Sequence, residues 1–397
     1  MCADAAVREA PCGSRGAPAC TVLDAGRIPV DRNELAAAIR SILDQEIAEL
    51  ARDRNSICYR VPLGGRGGVP VMAAVKVPLP GPQRTNDDTT FAWEAAILLG
   101  LPAAGIVDVP LLLARVAAAG RHFLVTTELP GKHPDARAHP LDGRQLRAIL
   151  DGLYAMDCQF FMHYDLKAAN ILVDGARVGF IDFEFSRFES CGNAYAPDAA
   201  GFLEDFNVSG NPFFPTRSNV ANFEFRALDR YLRELSSARP AAAKALHSDW
   251  LRGKSAYHRR MADFLAGLPE APVELVAGAG GLSMDQVRGR LRAAGAYESL
   301  LATLFRDPCA PVARVERLLM AYRCAIFEGQ VDAAGRLRRE ALVALGGDAA
   351  SAEGLPDAYL QASRRVLELV GRSIHPSVDP AAHAMEPARQ SNSRPFP

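Results

Sequence analysis

Lysine is the scarce residue of this chain. Of its 45 basic side chains only five are lysines, Lys76, Lys132, Lys167, Lys244 and Lys254, and the rest are arginines. Where arginine is the default cation, each lysine marks a position that prefers a compact, strongly hydrated point charge. An excess of either charge sign is lacking too. The 45 basic groups face 46 acidic ones and leave a net charge of −1, so no broad positive field points to nucleic acid as a partner. No uninterrupted apolar run reaches the roughly 18 residues of a membrane-spanning helix. The eight cysteines stand apart, at 2, 12, 20, 58, 158, 191, 309 and 324, with no Cys-x-x-Cys and no zinc spacing. That pattern predicts isolated thiols in a reducing compartment. The start carries Asp4, Arg8 and Glu9 and has no apolar stretch of the secretory-leader kind, which predicts a cytoplasmic protein. Secretion by a route without a cleavable signal stays open.

Hydrophobic residues make up 49% and charged ones 23%, the balance of a folded globular chain. Residues 1–31 are rich in Ala, Gly, Pro and Cys without periodicity and predict a disordered tail; residues 375–397, with five prolines, predict another. Between them two regions differ in character. In residues 32–128 the apolar positions Leu35, Ile39, Ile42, Leu43 and Ile47 predict an amphipathic helix over 32–51. Strand-like runs follow at 56–63 and 69–77, separated by the glycine-rich stretch 64–68, which predicts a hairpin. A helix over 89–99 and strands over 107–116 and 122–129 complete a small mixed unit. Residues 129–374 predict a mainly helical unit: a helix over 144–157, a loop with two short strands over 160–183, and helical periodicity through nearly all of 219–369. The stretch 322–345 has the spacing of one tetratricopeptide-like helix pair. A single such unit cannot form a solenoid, so ordinary helix packing is expected there. The fold class expected is α+β.

One stretch carries chemistry. His163, Asp165, Lys167 and Asn170 stand in a His-x-Asp-Leu-Lys-x-x-Asn-Ile-Leu string, and an apolar segment then leads into Asp182-Phe183-Glu184, twelve residues beyond Asn170. Upstream, Lys76 ends a predicted strand and Glu94 lies eighteen residues later in a predicted helix.

These strings resemble the catalytic and metal-binding loops of the protein-kinase-like superfamily. The resemblance covers about residues 50–190 and implies a bilobal fold, with an N-lobe over 32–128 and a helical C-lobe over 129–374. It implies an ATP- and Mg²⁺-dependent phosphotransferase. Asp165 would orient the acceptor hydroxyl and take its proton, and Lys167 would neutralise the transferring phosphoryl group. Asn170 and Asp182 would ligate Mg²⁺, while Lys76, paired with Glu94, would contact the α- and β-phosphates. The backbone from Glu128 to Pro130 would bond the adenine edge, and His163 would anchor the loop.

The chain also departs from the pattern. A glycine-rich phosphate loop is absent; residues 52–61 resemble instead the Ser/Asn-containing loops of aminoglycoside and choline kinases, with Ser56 as the candidate phosphate cap. Asp182-Phe183-Glu184 replaces Asp-Phe-Gly, again as in those small-molecule kinases, and residues 196–198 (Ala-Pro-Asp) are a poor substitute for Ala-Pro-Glu. Residues 202–225 are dense in Phe and Asn, for which core packing is the default and a substrate groove the alternative. The expected activity is phosphorylation of protein Ser/Thr. The alternatives are a small-molecule or sugar kinase and a pseudokinase binding module. A monomer is expected, with a phosphoryl acceptor as its partner and no nucleic acid.

Overall fold

A six-stranded antiparallel sheet in the order β1-β5-β6-β4-β3-β2 organises the first part of the chain. The computed structural model describes residues 20–26, 28–52, 56–64, 70–79, 88–106, 108–159, 161–188, 219–270, 273–274, 283–306, 310–327, 329–345, 357, 359–361 and 363–364. The strands are β1 (Cys20–Ala25), β2 (Glu49–Arg52), β3 (Ser56–Gly64), β4 (Pro70–Pro78), β5 (Leu112–Ala118) and β6 (Arg121–Thr127). β3 and β4 pair from Ser56↔Pro78 to Gly64↔Pro70, the hairpin that the glycine-rich stretch announces.

Two expectations are corrected here. The disordered tail was expected to reach residue 31, but β1 already pairs with β5 from Cys20↔Ala118 onward; residues 1–19 and 375–397 lie outside the described residues. The helix expected over 32–51 ends earlier, as α1 (Arg32–Leu43). Asp31 caps its start by accepting from the amides of Asn33 and Glu34, and Gln45, at φ 60, turns the chain out of it. Residues 49–52 then pair as an exposed edge strand against β3. Ile47 fits the helical period, but edge pairing wins once the chain has turned.

Period-two alternation divides the sheet's side chains between two cores. On one face Ala73, Val75, Val77 and Val125 pack with Leu35, Ile39 and Ile42 of α1. On the other face Leu124 joins Phe91, Ala95 and Leu98 of α2 (Asp88–Ala103) in the larger core. Lys76 lies on this second face, because it alternates with Val75 and Val77 and is in register with Leu124. The larger core continues through α3 (Gly143–Cys158), whose start is closed by a capping box between Asp142 and Gln145.

Beyond α3, β7 (Phe161–Met162) pairs with β10 (Arg187–Phe188), and β8 (Ile171–Asp174) forms a hairpin with β9 (Arg177–Phe180). A long helix follows: α4 (Asn219–Phe223), a π-helical turn (Glu224–Leu228) and α5 (Asp229–Ala238) run on without a break. Then come α6 (Pro240–Ala266), α7 (Met284–Arg306), α8 (Ala310–Phe327) and α9 (Val331–Ala344). The α8–α9 pair, turned by Gly329 at φ +70, buries Ala334 and Ala341 in the larger core as ordinary helix packing. The chain is thus of mixed α+β class. Among the described residues no helix is long and apolar enough to cross a membrane.

Candidate functional site

The sheet face opposite α1 delivers Lys76 to α2, and α2 presents Glu94 on its buried side. The Lys76 ammonium lies 3.1 Å from Glu94 Oε2, 2.7 Å from Asp182 Oδ1 and 3.4 Å from Glu184 Oε2. Burial disfavours the ammonium, but the three carboxylates together outweigh it and hold Lys76 well above the ordinary lysine range. For Glu94 burial wins, and its carboxyl is pushed up despite Lys76. Burial opposes ionisation of Asp182 as well, yet attraction to Lys76, then Lys167, keeps it below the usual carboxylate range. Glu94 also accepts the Phe183 amide through Oε1 at 3.1 Å, which ties α2 to the backbone beside Asp182.

The loop between β7 and β8 supplies the other half. Asp165 Oδ2 accepts from Asn170 Nδ2 at 2.8 Å and lies 2.9 Å from Lys167 Nζ. Asn170 Nδ2 reaches Asp182 Oδ2 at 3.3 Å, and Lys167 Nζ lies 3.8 Å from the same oxygen. Because the Asn170 nitrogen faces carboxylates, its Oδ1 is the atom left to meet a cation. His163 is fully buried, and burial holds its imidazole below the usual range. Its Nε2 lies 3.0 Å from Ile181 O, which pins the loop to the strand before Asp182. Tyr164 and Asp182 take left-handed backbone angles, φ 60 and φ 68. Such strain in non-glycine residues persists only where the surroundings over-determine it, and it clusters at functional sites.

The structure therefore brings Lys76, Glu94, Asp165, Lys167, Asn170 and Asp182 into one cluster. Two other sequence-derived candidates sit differently. Ser56 shares the sheet face of Lys76, since Cys58 pairs with Lys76, but it opens β3 opposite Pro78 and is 2% exposed. Glu128 donates its amide to Met72 O at 2.8 Å and its carboxylate pairs with Arg60. Only its carbonyl and the groups through Pro130 remain for a base edge. Residues 196–198 and 202–218 lie outside the described residues, while Phe223 and Phe225 are buried as core.

Several contributors were not singled out from sequence. Glu184 turns onto Lys76. Asn219 accepts the His163 amide and Asn222 the Leu166 amide, so α4 holds the Asp165 loop from beneath. Arg226, in the π-helical turn, places Nη2 2.5 Å from Asp165 Oδ1 and donates Nη1 to Tyr164 O at 2.7 Å. Nothing in the sequence separates Arg226 from the other arginines.

Among the described residues, four carboxyl groups (Glu94, Asp165, Asp182 and Glu184) thus meet three cations, Lys76, Lys167 and Arg226. Among the described residues no group of three or more His, Cys, Asp or Glu could hold a metal by itself. A Mg²⁺ bound through one carboxylate, one amide and substrate phosphates needs no such group, and the Asp182–Asn170 oxygens fit it. No protein-family model matches the chain, and no curated protein matches it.

Proposed function

We propose that the chain is an ATP- and Mg²⁺-dependent phosphotransferase of the protein-kinase-like superfamily, transferring a phosphoryl group to an alcohol. The observation that carries this is the Lys76 ammonium, bonded at once to Glu94 on a helix and to Asp182, which shares a cluster with Asn170 and Asp165. Side chains from four distant stretches converge there, as positioning and charge neutralisation in phosphoryl transfer require. The same proposal reads the chain as bilobal, with residues 32–128 as the small lobe and 129–374 as the helical one.

Each residue then has a task. Lys76, fixed by Glu94, holds the α- and β-phosphates. Asp182 and Asn170 hold the Mg²⁺, whose chemistry when bound is to neutralise charge on the phosphate oxygens. Asp165 orients the acceptor hydroxyl and takes its proton, and Lys167 lies on the path of the transferring group. All of these side chains are present, which speaks against a decayed pseudokinase.

For the acceptor, one observation favours a small hydroxyl compound over a protein Ser/Thr. The helix from Asn219 to Ala238 lays Arg226 directly on Asp165, and we read this helical element as the device that closes the acceptor side to an extended protein segment. Incubation with γ-labelled ATP and Mg²⁺, against generic protein substrates, aminoglycosides, choline and sugars, tests both levels. Label on a small molecule supports this acceptor, and label on protein alone reverses the choice. Asp165→Ala should abolish transfer while nucleotide binding, read by calorimetry, is kept; full turnover in that variant removes Asp165 from the mechanism.

A further inference from the structure

A cavity of about 610 Å³ opens between α5, α6 and α8, and none of its lining residues belongs to the cluster around Asp165. Its volume falls in the range of about 300–1,000 Å³ typical of small-molecule sites. The walls are largely apolar, from Leu232, Ala243, Ala313, Leu318 and Met320. Asp229 contributes no free charge, because it pairs with Arg233 at 3.0 Å. His247, buried on α6, is held down at about 4 by burial and then by Arg317, so it is neutral near pH 7.

Three exposed cations remain on the lining: Lys244 from α6, and Arg314 and Arg317 from α8. Among the described residues none of the three has a carboxylate partner, and the Arg317 Nε is turned to Ala313 O. Lys244 is also one of only five lysines. An apolar hollow edged by three unpaired cations suits a ligand with an anionic head and an apolar body. Guanidinium groups bind a phosphate or carboxylate through paired hydrogen bonds, and the apolar walls gain by excluding water from the body.

We propose that this cavity binds a small amphipathic anion. Its phosphate or carboxylate head lies among Lys244, Arg314 and Arg317, and its apolar body lies against Leu232, Leu318 and Met320. The site is independent of the phosphotransferase assignment.

Isothermal titration of the full chain with octyl phosphate tests it, with inorganic phosphate and octanol as separate arms. The expected result is one site for octyl phosphate, with phosphate and octanol each weaker by at least about tenfold. Arg314→Ala/Arg317→Ala, two exposed positions, should weaken octyl phosphate at least about tenfold with an unchanged circular dichroism spectrum. Lys244→Gln should weaken it by a smaller factor. Absence of binding, equal binding of phosphate or octanol alone, or an unaffected double variant each overturns the proposal. Co-sedimentation with phosphatidic acid vesicles separates a bilayer head group from a free ligand. No sedimentation is expected, and capture by vesicles without octyl phosphate binding overturns the small-molecule site.

Discussion

Lys76 has three carboxylates within 3.4 Å of its ammonium, in a site almost closed to water. A preorganised charge there acts far more strongly than in bulk solvent. Lys76→Met is expected to lower phosphoryl transfer on the order of 10²–10³-fold, read as initial rate with labelled ATP. An unchanged rate would detach the strand lysine from the chemistry. Arg226 acts through Asp165, and we place it as a positioning residue. Arg226→Gln should lower kcat about tenfold or more and leave the ATP dissociation constant unaltered, while Arg226→Lys restores part of kcat. A purely structural role would instead lower both variants' melting temperatures and spare their kcat. Lys76, Glu94, Asp165, Lys167, Asn170 and Asp182 were legible in the sequence because the strings that hold them resemble protein-kinase-like loops, and local motifs of that kind survive in the sequence. Arg226 was not. It lies 61 positions beyond Asp165, its residue type is abundant, and only the path of a helix sets it against the loop.

Among the elements, the end of α3 and the start of α4 meet at a buried carboxyl. Asp157 accepts from Asn219 Nδ2 at 2.7 Å and from the Tyr257 hydroxyl at 2.6 Å, and Asn219 Nδ2 also donates to Phe161 O. Burial raises Asp157 from 3.8 to about 7, against the pull of those hydrogen bonds. A carboxyl raised by folding binds its proton more tightly in the native state. Its contribution is therefore full below pH 4 and is lost as pH rises through about 7, with a slope approaching about 1.4 kcal/mol per pH unit. Asp157→Asn should gain on the wild type as pH is raised from 5 to 7.5, followed by urea midpoints at each pH. A difference that stays constant over that range would show that Asp157 is ionised throughout. Periodicity and turn chemistry revealed most of the elements here. It overran the end of α1 and missed β1 and β2, because β1 pairs with the distant β5 and β2, exposed along its whole length, carries no apolar alternation to announce a strand.

At the scale of the whole molecule, Lys254 ties the long helices together. Its ammonium, buried on α6, lies 2.7 Å from Glu224 Oε1 in the π-helical turn and 3.1 Å from Glu316 Oε2 on α8. Trp250 Nε1 donates to that Glu224 oxygen, and the Tyr359 hydroxyl donates to Glu316 Oε1 at 2.5 Å. Burial works against the Lys254 charge, but the two glutamates outweigh it and raise its pKa. Lys254→Met would leave the two carboxylates with only Arg323, 3.9 Å from Glu224 Oε2, a loss of about 3–5 kcal/mol by chemical denaturation. Lys254→Met/Glu224→Gln should recover part of it. A single-variant loss under about 1 kcal/mol would mean that water reaches the network. Glu224 sits two residues from Arg226, so the same turn that reaches Asp165 is fastened to the helical core behind it.

By itself the sequence determined the mixed α+β class, the hairpins and helices with strong periodicity, and the residue types that make a phosphoryl-transfer site conceivable. These follow from local rules: side-chain alternation, helical repeat, and short motifs in which a few neighbouring residues bear the chemistry. Tertiary structure alone decided which carboxylates share Lys76, that Arg226 lies against Asp165, that Lys254 is buried between Glu224 and Glu316, and that three cations edge an apolar cavity. Each of these depends on long-range packing, where contact is set by how helices and sheet bury their apolar faces and not by distance along the chain.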